Sequence, residues 1–287
     1  MSKFFGRKVS LQVGTRLFEN LRVAFKVRRT LGKNPHPAEI EIYNLSQPSR
    51  AAFQEKGVEL ILAAGYNEAF GQIWSGQLRS VSHVKQGADW ITKCEGGDGE
   101  KLMRTSRIAQ SYKAGTQIAT VIRDVAKATG LKPGNLEQQL AKLQPRGGLT
   151  QYVYGTAVSG VASEALYRLL SAVGLNYSVQ DGQLQVLADG ASISNGQIFL
   201  LSGSTGLVGS PEIGEESVQT APGAAKTAGK KHVLKVKSLL NHQLTPGSQV
   251  QIQSANLNGA YRIEKLEHKG DTHGGEASWI TEMECRL

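Results

Sequence analysis

His268, Asp271 and His273 fall close together, with Gly270, Gly274 and Gly275 among them, so the stretch could fold its side chains toward one metal ion. The spacing fits no tetrahedral zinc pattern, however, and no cysteine joins it. It reads as a solvated hairpin turn. Gly203-Ser204-Thr205-Gly206 has the glycines of a phosphate-binding loop but lacks the Lys-Ser/Thr step and the helix that would carry the anion, so it too reads as a turn. Glu215 and Glu216 are paired acids in a polar, linker-like stretch, where nothing would exclude water or tune a pKa. No serine sits in a nucleophile-elbow glycine pattern. The expectation is a chain without catalytic residues, cofactor-binding residues or metal ligands, and with no cofactor.

The cysteines are Cys94 and Cys285, each near the end of a predicted strand. They could pair, but two cysteines in a long chain without a leader read as buried free thiols. Met1 to Lys8 is basic and lacks the apolar core of a signal peptide. No apolar run approaches the roughly 20 residues that span a bilayer, so no membrane insertion is expected.

A formal charge of +9 invites a nucleic-acid reading. The basic residues are nevertheless spread along the chain, and the densest group, Lys226 to Lys237, lies in or beside a linker-like segment. No groove-entering helix or stacking platform accompanies them. A solvated basic face, or one complementary to an acidic partner, fits better.

The elements that position these residues repeat. Gly57 to Leu62, Gly71 to Trp74, Val81-Ser82-His83 and Trp90 to Cys94 are echoed in order by Gly247 to Gln253, Gly259 to Arg262, Leu266-Glu267-His268 and Trp279-Ile280-Thr281 with Cys285. Two copies of one strand-rich pattern indicate duplication of a structural unit, with the cysteines at corresponding places. Trp74, Trp90 and Trp279 fall inside these strands as core or interface anchors.

Around the repeat, Val9, Leu11 and Val13, then Leu21, Val23, Phe25 and Val27, then Ile40 and Ile42 alternate with polar residues, as half-buried strands do. Gly32 to Pro37 interrupts them as a loop. A short helix is expected from Ser46 as N-cap to Gly57, with Pro48 in its first turn. A strand near Arg104 to Gln110 could still pair with this first unit. Helical spacing follows at Ile118, Val121, Ile122 and Val125 before Gly130, and again at Val161, Leu166, Leu169, Leu170 and Val173 with Ser159 as cap. Tyr177 to Val186 alternates on both sides of Asp181-Gly182, a hairpin signal. The fold class is mainly β with a small α+β insertion. Its domains are 1–100, 101–189 and 190–287, the last with an exposed linker-like loop at 214–231.

Leu11-Gln12-Val13-Gly14, Leu21 to Val27 and Ala38 to Ser46 resemble the start of baseplate hub proteins of contractile-tailed bacteriophages, the tail-tube-like, late control protein D-like hub family. Gly206 to Pro211, Leu239-Leu240-Asn241, Pro246-Gly247, Gly259 to Ile263 and His268 to Asp271 are similar to that family as well. The resemblance runs over most of the chain. It implies two tail-tube-like β-barrel domains per chain and a homotrimer whose six barrels continue a sixfold tube and meet a threefold central spike. The implied partners are the tail tube protein, the spike protein and other baseplate proteins, with DNA passing through the lumen without specific binding. The implied location is the virion baseplate, after synthesis in the host bacterial cytoplasm. The alternatives are a spike-base component of a contractile secretion system, a nucleic-acid-binding barrel protein and a cell-wall hydrolase.

Overall fold

A computed structural model describes residues 4–32, 35–54, 57–143, 150–188, 191–193, 197–217, 230–275 and 278–286. The first stretch forms β1 (Arg7–Val13), β2 (Arg16–Glu19), β3 (Val23–Thr30) and β4 (Pro37–Tyr43), then β5 (Glu59–Tyr66), β6 (Ala69–Gln86) and β7 (Asp89–Gly97). Period-two alternation decides which side of each strand is buried. Val9, Leu11 and Val13 from β1, Val23, Phe25 and Val27 from β3 and Ile40 and Ile42 from β4 share one core with Leu60, Leu62 and Trp74. These strands therefore curl, barrel-like, so that β1 and β3, which do not pair with each other, contribute to one interior.

Between β4 and β5 lies α1 (Gln47–Ala51), capped by the Ser46 hydroxyl, which accepts a hydrogen bond from the Ser49 N–H. The helix stops well short of Gly57. The chain leaves it at once to bury Phe53, while Gly57, at φ +72°, shapes the approach to β5. Within the expected loop at 32–37, residues 33 and 34 lie outside the described set.

The middle holds α2 (Glu100–Thr105), β8 (Arg107–Tyr112), α3 (Ile118–Ala128) and α4 (Leu136–Ala141), then β9 (Thr156–Val161), α5 (Ala162–Ala172), β10 (Leu175–Gln180) and β11 (Gln183–Ala188). It has a core of its own, in which Val121, Ile122 and Val125 of α3 meet Leu166 and Leu170 of α5 and Tyr177 and Val179 of β10. The strand expected near Arg104 to Gln110 is helix as far as Thr105. Its strand part pairs with β9 in this middle unit and not with the first sheet. Ser159 lies inside that ladder, opposite Ala109, so it cannot cap α5; the N-cap position falls to Val161. The Asp-Gly hairpin forms as expected, with Asp181 at φ +54° and Gly182 at φ +71°.

The last stretch comprises β12 (Ile198–Leu201), β13 (Leu207–Ser217), β14 (Lys230–Leu239), β15 (Gln249–Gln253), β16 (Asn258–Asp271) and β17 (Trp279–Arg286). Val236, Val250, Ile252, Ile263, Leu266 and Met283 form its core. The linker expected at 214–231 is strand up to Ser217 and again from Lys230, while 218–229 lies outside the described residues. Glu215 therefore stands in β13, opposite His232, and not in a linker.

The two strand groups are one sheet. β16 pairs antiparallel with β3 from Lys265 opposite Thr30 to Asp271 opposite Ala24, which places β3 and β4 beside β16 and β17 without a break. Gly270 makes this contact possible, because a Cβ there would lie 2.2 Å from Phe25 Cζ and 2.8 Å from Trp279 Cζ3. A Gly270→Ala variant is expected to lose about 1–3 kcal/mol of stability by overpacking. The check is a lower urea midpoint at an unchanged m-value.

Candidate assembly surface

The duplication is visible bond by bond. In β6 and β7, Gln77 faces Gly97 and Leu78 faces Gly96; the ladder then skips Arg79 and resumes with Ser80 facing Glu95. In β16 and β17, Arg262 faces Arg286 and Ile263 faces Cys285; the ladder skips Glu264 and resumes with Lys265 facing Glu284. The same bulge stands at the same step of both copies. Bulges re-aim a strand and locally raise its twist, so a shared bulge means a shared path. A histidine–threonine pair repeats with it. His83 Nδ1 lies 3.0 Å from Thr92 Oγ1, and His268 Nδ1 lies 2.9 Å from Thr281 Oγ1.

These registers align β3, β4, β5, β6 and β7 with β13, β14, β15, β16 and β17. Ile40 faces Cys94 as Val236 faces Met283, and Leu60 faces Gly76 as Val250 faces Tyr261. Two expectations need correction. Cys94 corresponds to Met283, and Cys285 to Gly96, so the thiols occupy neighbouring and not matching places in the two copies. Trp74, and not Gly71, is the counterpart of Gly259, because Trp74 to His83 and Gly259 to His268 keep one offset without an inserted residue, so that Leu62 faces Trp74 as Ile252 faces Gly259. The cysteines themselves are free and buried, and burial pushes each thiol up to about 12, far from a reactive thiolate.

The expected solvated turn is also revised. His268 is not in a solvated turn but fully buried in β16, and burial, reinforced by the Arg29 charge, lowers its pKa to about 3. His273 is on the exposed turn, where its N–H donates to Asp271 Oδ1 at 2.9 Å. Among the described residues, no group of three or more His, Cys, Asp or Glu is placed to hold a metal.

Both faces of the joined sheet carry consequences. The core side is apolar, whereas the opposite side bears a mixed-charge lattice that crosses the β3–β16 junction. Glu267 lies 2.6 Å from Arg28, 2.8 Å from Lys269 and 3.6 Å from Lys26. Lys269 continues to Glu282 at 2.6 Å, Glu282 to Lys237 at 3.2 Å, and Lys265 to Glu284 at 3.1 Å. On the other flank Lys93 meets Glu41 at 2.9 Å. Acids and bases are interspersed, with Glu41, Glu267, Glu282 and Glu284 against Lys26, Arg28, Lys93, Lys237, Lys265 and Lys269, so this face carries little of the chain's +9. Single exposed pairs contribute little, but a lattice with shared carboxylates fixes register as well as adding stability.

The middle unit meets the junction through the tip of its β10–β11 hairpin. Arg29, only 2% exposed, donates from Nη2 to Asp181 Oδ2 at 2.7 Å and from Nη1 to the Ile73 carbonyl at 3.1 Å. Asp98 accepts from the Asp181 and Gly182 N–H groups at 2.6 and 2.9 Å. Burial, and then the charge of Asp181, raise the Asp98 pKa to about 6. His36 stands 4.0 Å from Asp98, held near 4 by burial and the Arg29 charge. Ser178 Oγ donates to the Thr30 carbonyl and Gln180 Nε2 to the Pro246 carbonyl, so the hairpin is hydrogen-bonded to both strand groups. No sequence motif announced this cluster, whose members come from distant segments.

No family model and no curated protein matches the sequence. Solved structures do match the fold. A tail protein from Neisseria meningitidis MC58 superposes at TM-score 0.62 with 11% identity, over 99% of this chain and 97% of that one. A 43 kDa tail protein of prophage MuSo2 from Shewanella oneidensis superposes at 0.63 with 10% identity, over 98% of each. A component of the Escherichia coli type VI secretion system, described as structurally similar to the T4 bacteriophage tail proteins gp27 and gp5, superposes at 0.56 with 12% identity, over 96% of this chain and 76% of that one. Identities this low carry the fold alone: the chain has the fold of these tail and secretion-system proteins.

Proposed function

We propose that this chain is a structural hub of a phage tail baseplate, joining the sixfold tail tube to the threefold central spike as a homotrimer. The supporting observation is the repeated sheet, with bulge and His–Thr pair in matching places, already joined side by side through β3 and β16. Two equivalent units per chain give three chains a pseudo-sixfold ring, which resolves a symmetry mismatch by duplication. The mixed-charge face continues across the joint, so in a ring it would line the channel. Its near balance of charge suits passage of DNA without retention, and the surplus positive charge would lie outside. In this reading the domains are 1–100, 101–189 and 190–287, with the middle unit widening the ring or meeting the spike. The partners are the tube, spike and other baseplate proteins, and the location is the virion, after synthesis in the host cytoplasm.

The reading is non-enzymatic, and release of peptidoglycan fragments by the purified chain would count against it. The likeness to a type VI secretion component favours one second reading, the spike base of a contractile secretion machine. Electron microscopy of the purified chain and of tail particles, without imposed symmetry, tests both. A threefold ring with six β lobes at the distal end of a phage tube is the expected result. The same ring found only beneath a secretion spike would favour the second reading, and a monomer without a counterpart in either would overturn both.

A further inference from the structure

The in-chain joint uses β3 of the first copy and the outer half of β16 of the second. Their counterparts, β13 of the second copy and the outer half of β6 of the first, have no strand alongside among the described residues. β5 pairs with β6 only from Ala69 to Gln77, and β7 lies on the other side of Gln77 to Gln86. β13 is paired only with β14. Each copy thus contains one half of a joint whose other half is used within the chain.

Side chains at the open half are exposed twins of buried ones. Ile213 is 62% exposed, whereas Val27, at the same ladder step, is 0% exposed. Trp90 is 38% exposed, whereas its counterpart Trp279 is 1% exposed and packs edge-on against Phe25 of β3. His83 is partly exposed, whereas His268 is fully buried. Bulk is also exchanged. In the closed joint Gly270 faces Phe25; in the open one Lys85 replaces the glycine, and the Gly209-Ser210-Pro211 bulge replaces the phenylalanine. A large residue and a gap have traded sides, as two faces built to fit each other would.

We propose that β13 of one copy of this chain docks antiparallel along the outer half of β6 of another copy, with Ile213 facing His83 and Gly214 facing Ser82. This reproduces the β3–β16 ladder, where Val27 faces His268 and Arg28 faces Glu267. It rests on the reading of the chain as a self-assembling ring and specifies the contact that closes it. The occupant is a second copy because the complement of each open edge is present in the same chain. Main-chain hydrogen bonds supply affinity, and the alternating side chains set register.

Disulfide trapping tests the register. Opposed residues in an antiparallel ladder lie about 4.5–5.5 Å apart at Cα, within the span of a disulfide. In a Ser82→Cys/Gly214→Cys chain, mild oxidation of the assembled protein is expected to give covalently closed multimers on non-reducing gels. The new Cβ at 214 would meet only the flexible end of Lys235. A register-shifted pair, Ser82→Cys/Val208→Cys, is expected to give none. An oligomer that forms without the first cross-link, or with both, overturns the docking while leaving the ring reading intact. A chain that stays monomeric at high concentration and in tail particles overturns both. A second variant, Ile213→Asp, changes a side chain that is solvent-exposed in the single chain, so its thermal unfolding as a monomer should be unchanged. Its self-association is expected to weaken at least tenfold; unaltered assembly would refute the contact, as would cross-links traced to another baseplate protein.

Discussion

An Arg29→Met variant is expected to lose about 3 kcal/mol of stability, because removing one partner of a buried ion pair leaves the other charge uncompensated. Met keeps much of the volume, so the loss reports charge more than packing. Asp181 would keep its carboxylate beside Asp98, with the cation that separates their effects gone. The Ile73 carbonyl would lose its donor as well. Urea unfolding checks the magnitude, and the double variant Arg29→Met/Asp181→Asn checks the cause. It should recover a substantial part of the loss, since the orphaned charge is then gone. A double variant no better than the single one would mean that Arg29 acts through packing alone.

The second large effect is on acid stability. His268 has a folded pKa near 3, and an unfolded histidine titrates near 6.5. The unfolded chain therefore binds a proton that the folded chain refuses throughout that interval. The stabilisation is complete above pH 6.5 and is lost as the pH falls toward 3. His36, held near 4, acts in the same direction. Asp98 acts in the opposite direction: its carboxyl is raised to about 6, so its contribution is present in acid and declines as the pH rises through 6. Two histidines against one carboxyl leave a net loss on acidification. A His268→Gln variant should shrink the stability difference between pH 7.5 and pH 4.5 by about 2–3 kcal/mol, from roughly two units of unrealised protonation at 1.36 kcal/mol each. The same fall in variant and parent would place the acid sensitivity elsewhere.

The strands of the first stretch were legible because alternation at Val9, Leu11 and Val13 and at Phe25 and Val27 is itself the burial pattern. The repeat was legible wherever a distinctive residue held a ladder step, as His83, Trp90 and their counterparts do. It was misaligned near Gly71 because a glycine is conspicuous wherever it stands, whereas the register is set by the unbroken run of Trp74 to His83 against Gly259 to His268. The cysteine match failed for a related reason, since a rare residue type is conspicuous whether or not its position corresponds. Helix capping at Ser159 was misread because a hydroxyl before an apolar run suits a strand end as well as a cap. The joint between β3 and β16 was beyond reach, because strand pairing carries no local code and its partners lie at opposite ends of the chain. The Arg29, Asp98 and Asp181 cluster was hidden in the same way. Each member looks ordinary alone, and only the folded chain brings them within hydrogen-bond distance.

The pairing of Thr30 with Lys265 also has a consequence for timing on the ribosome. Translation proceeds at roughly 5–20 residues per second, so β3 emerges on the order of tens of seconds before the strand that will cover it. During that interval the nascent chain presents an uncovered β3 edge. Chains made side by side on one message could then pair β3 with a neighbour's finished β16, exchanging the joint between molecules instead of closing it within one. Slowing elongation late in the message should raise the yield of such exchanged species, and a holdase that shields β3 should lower it.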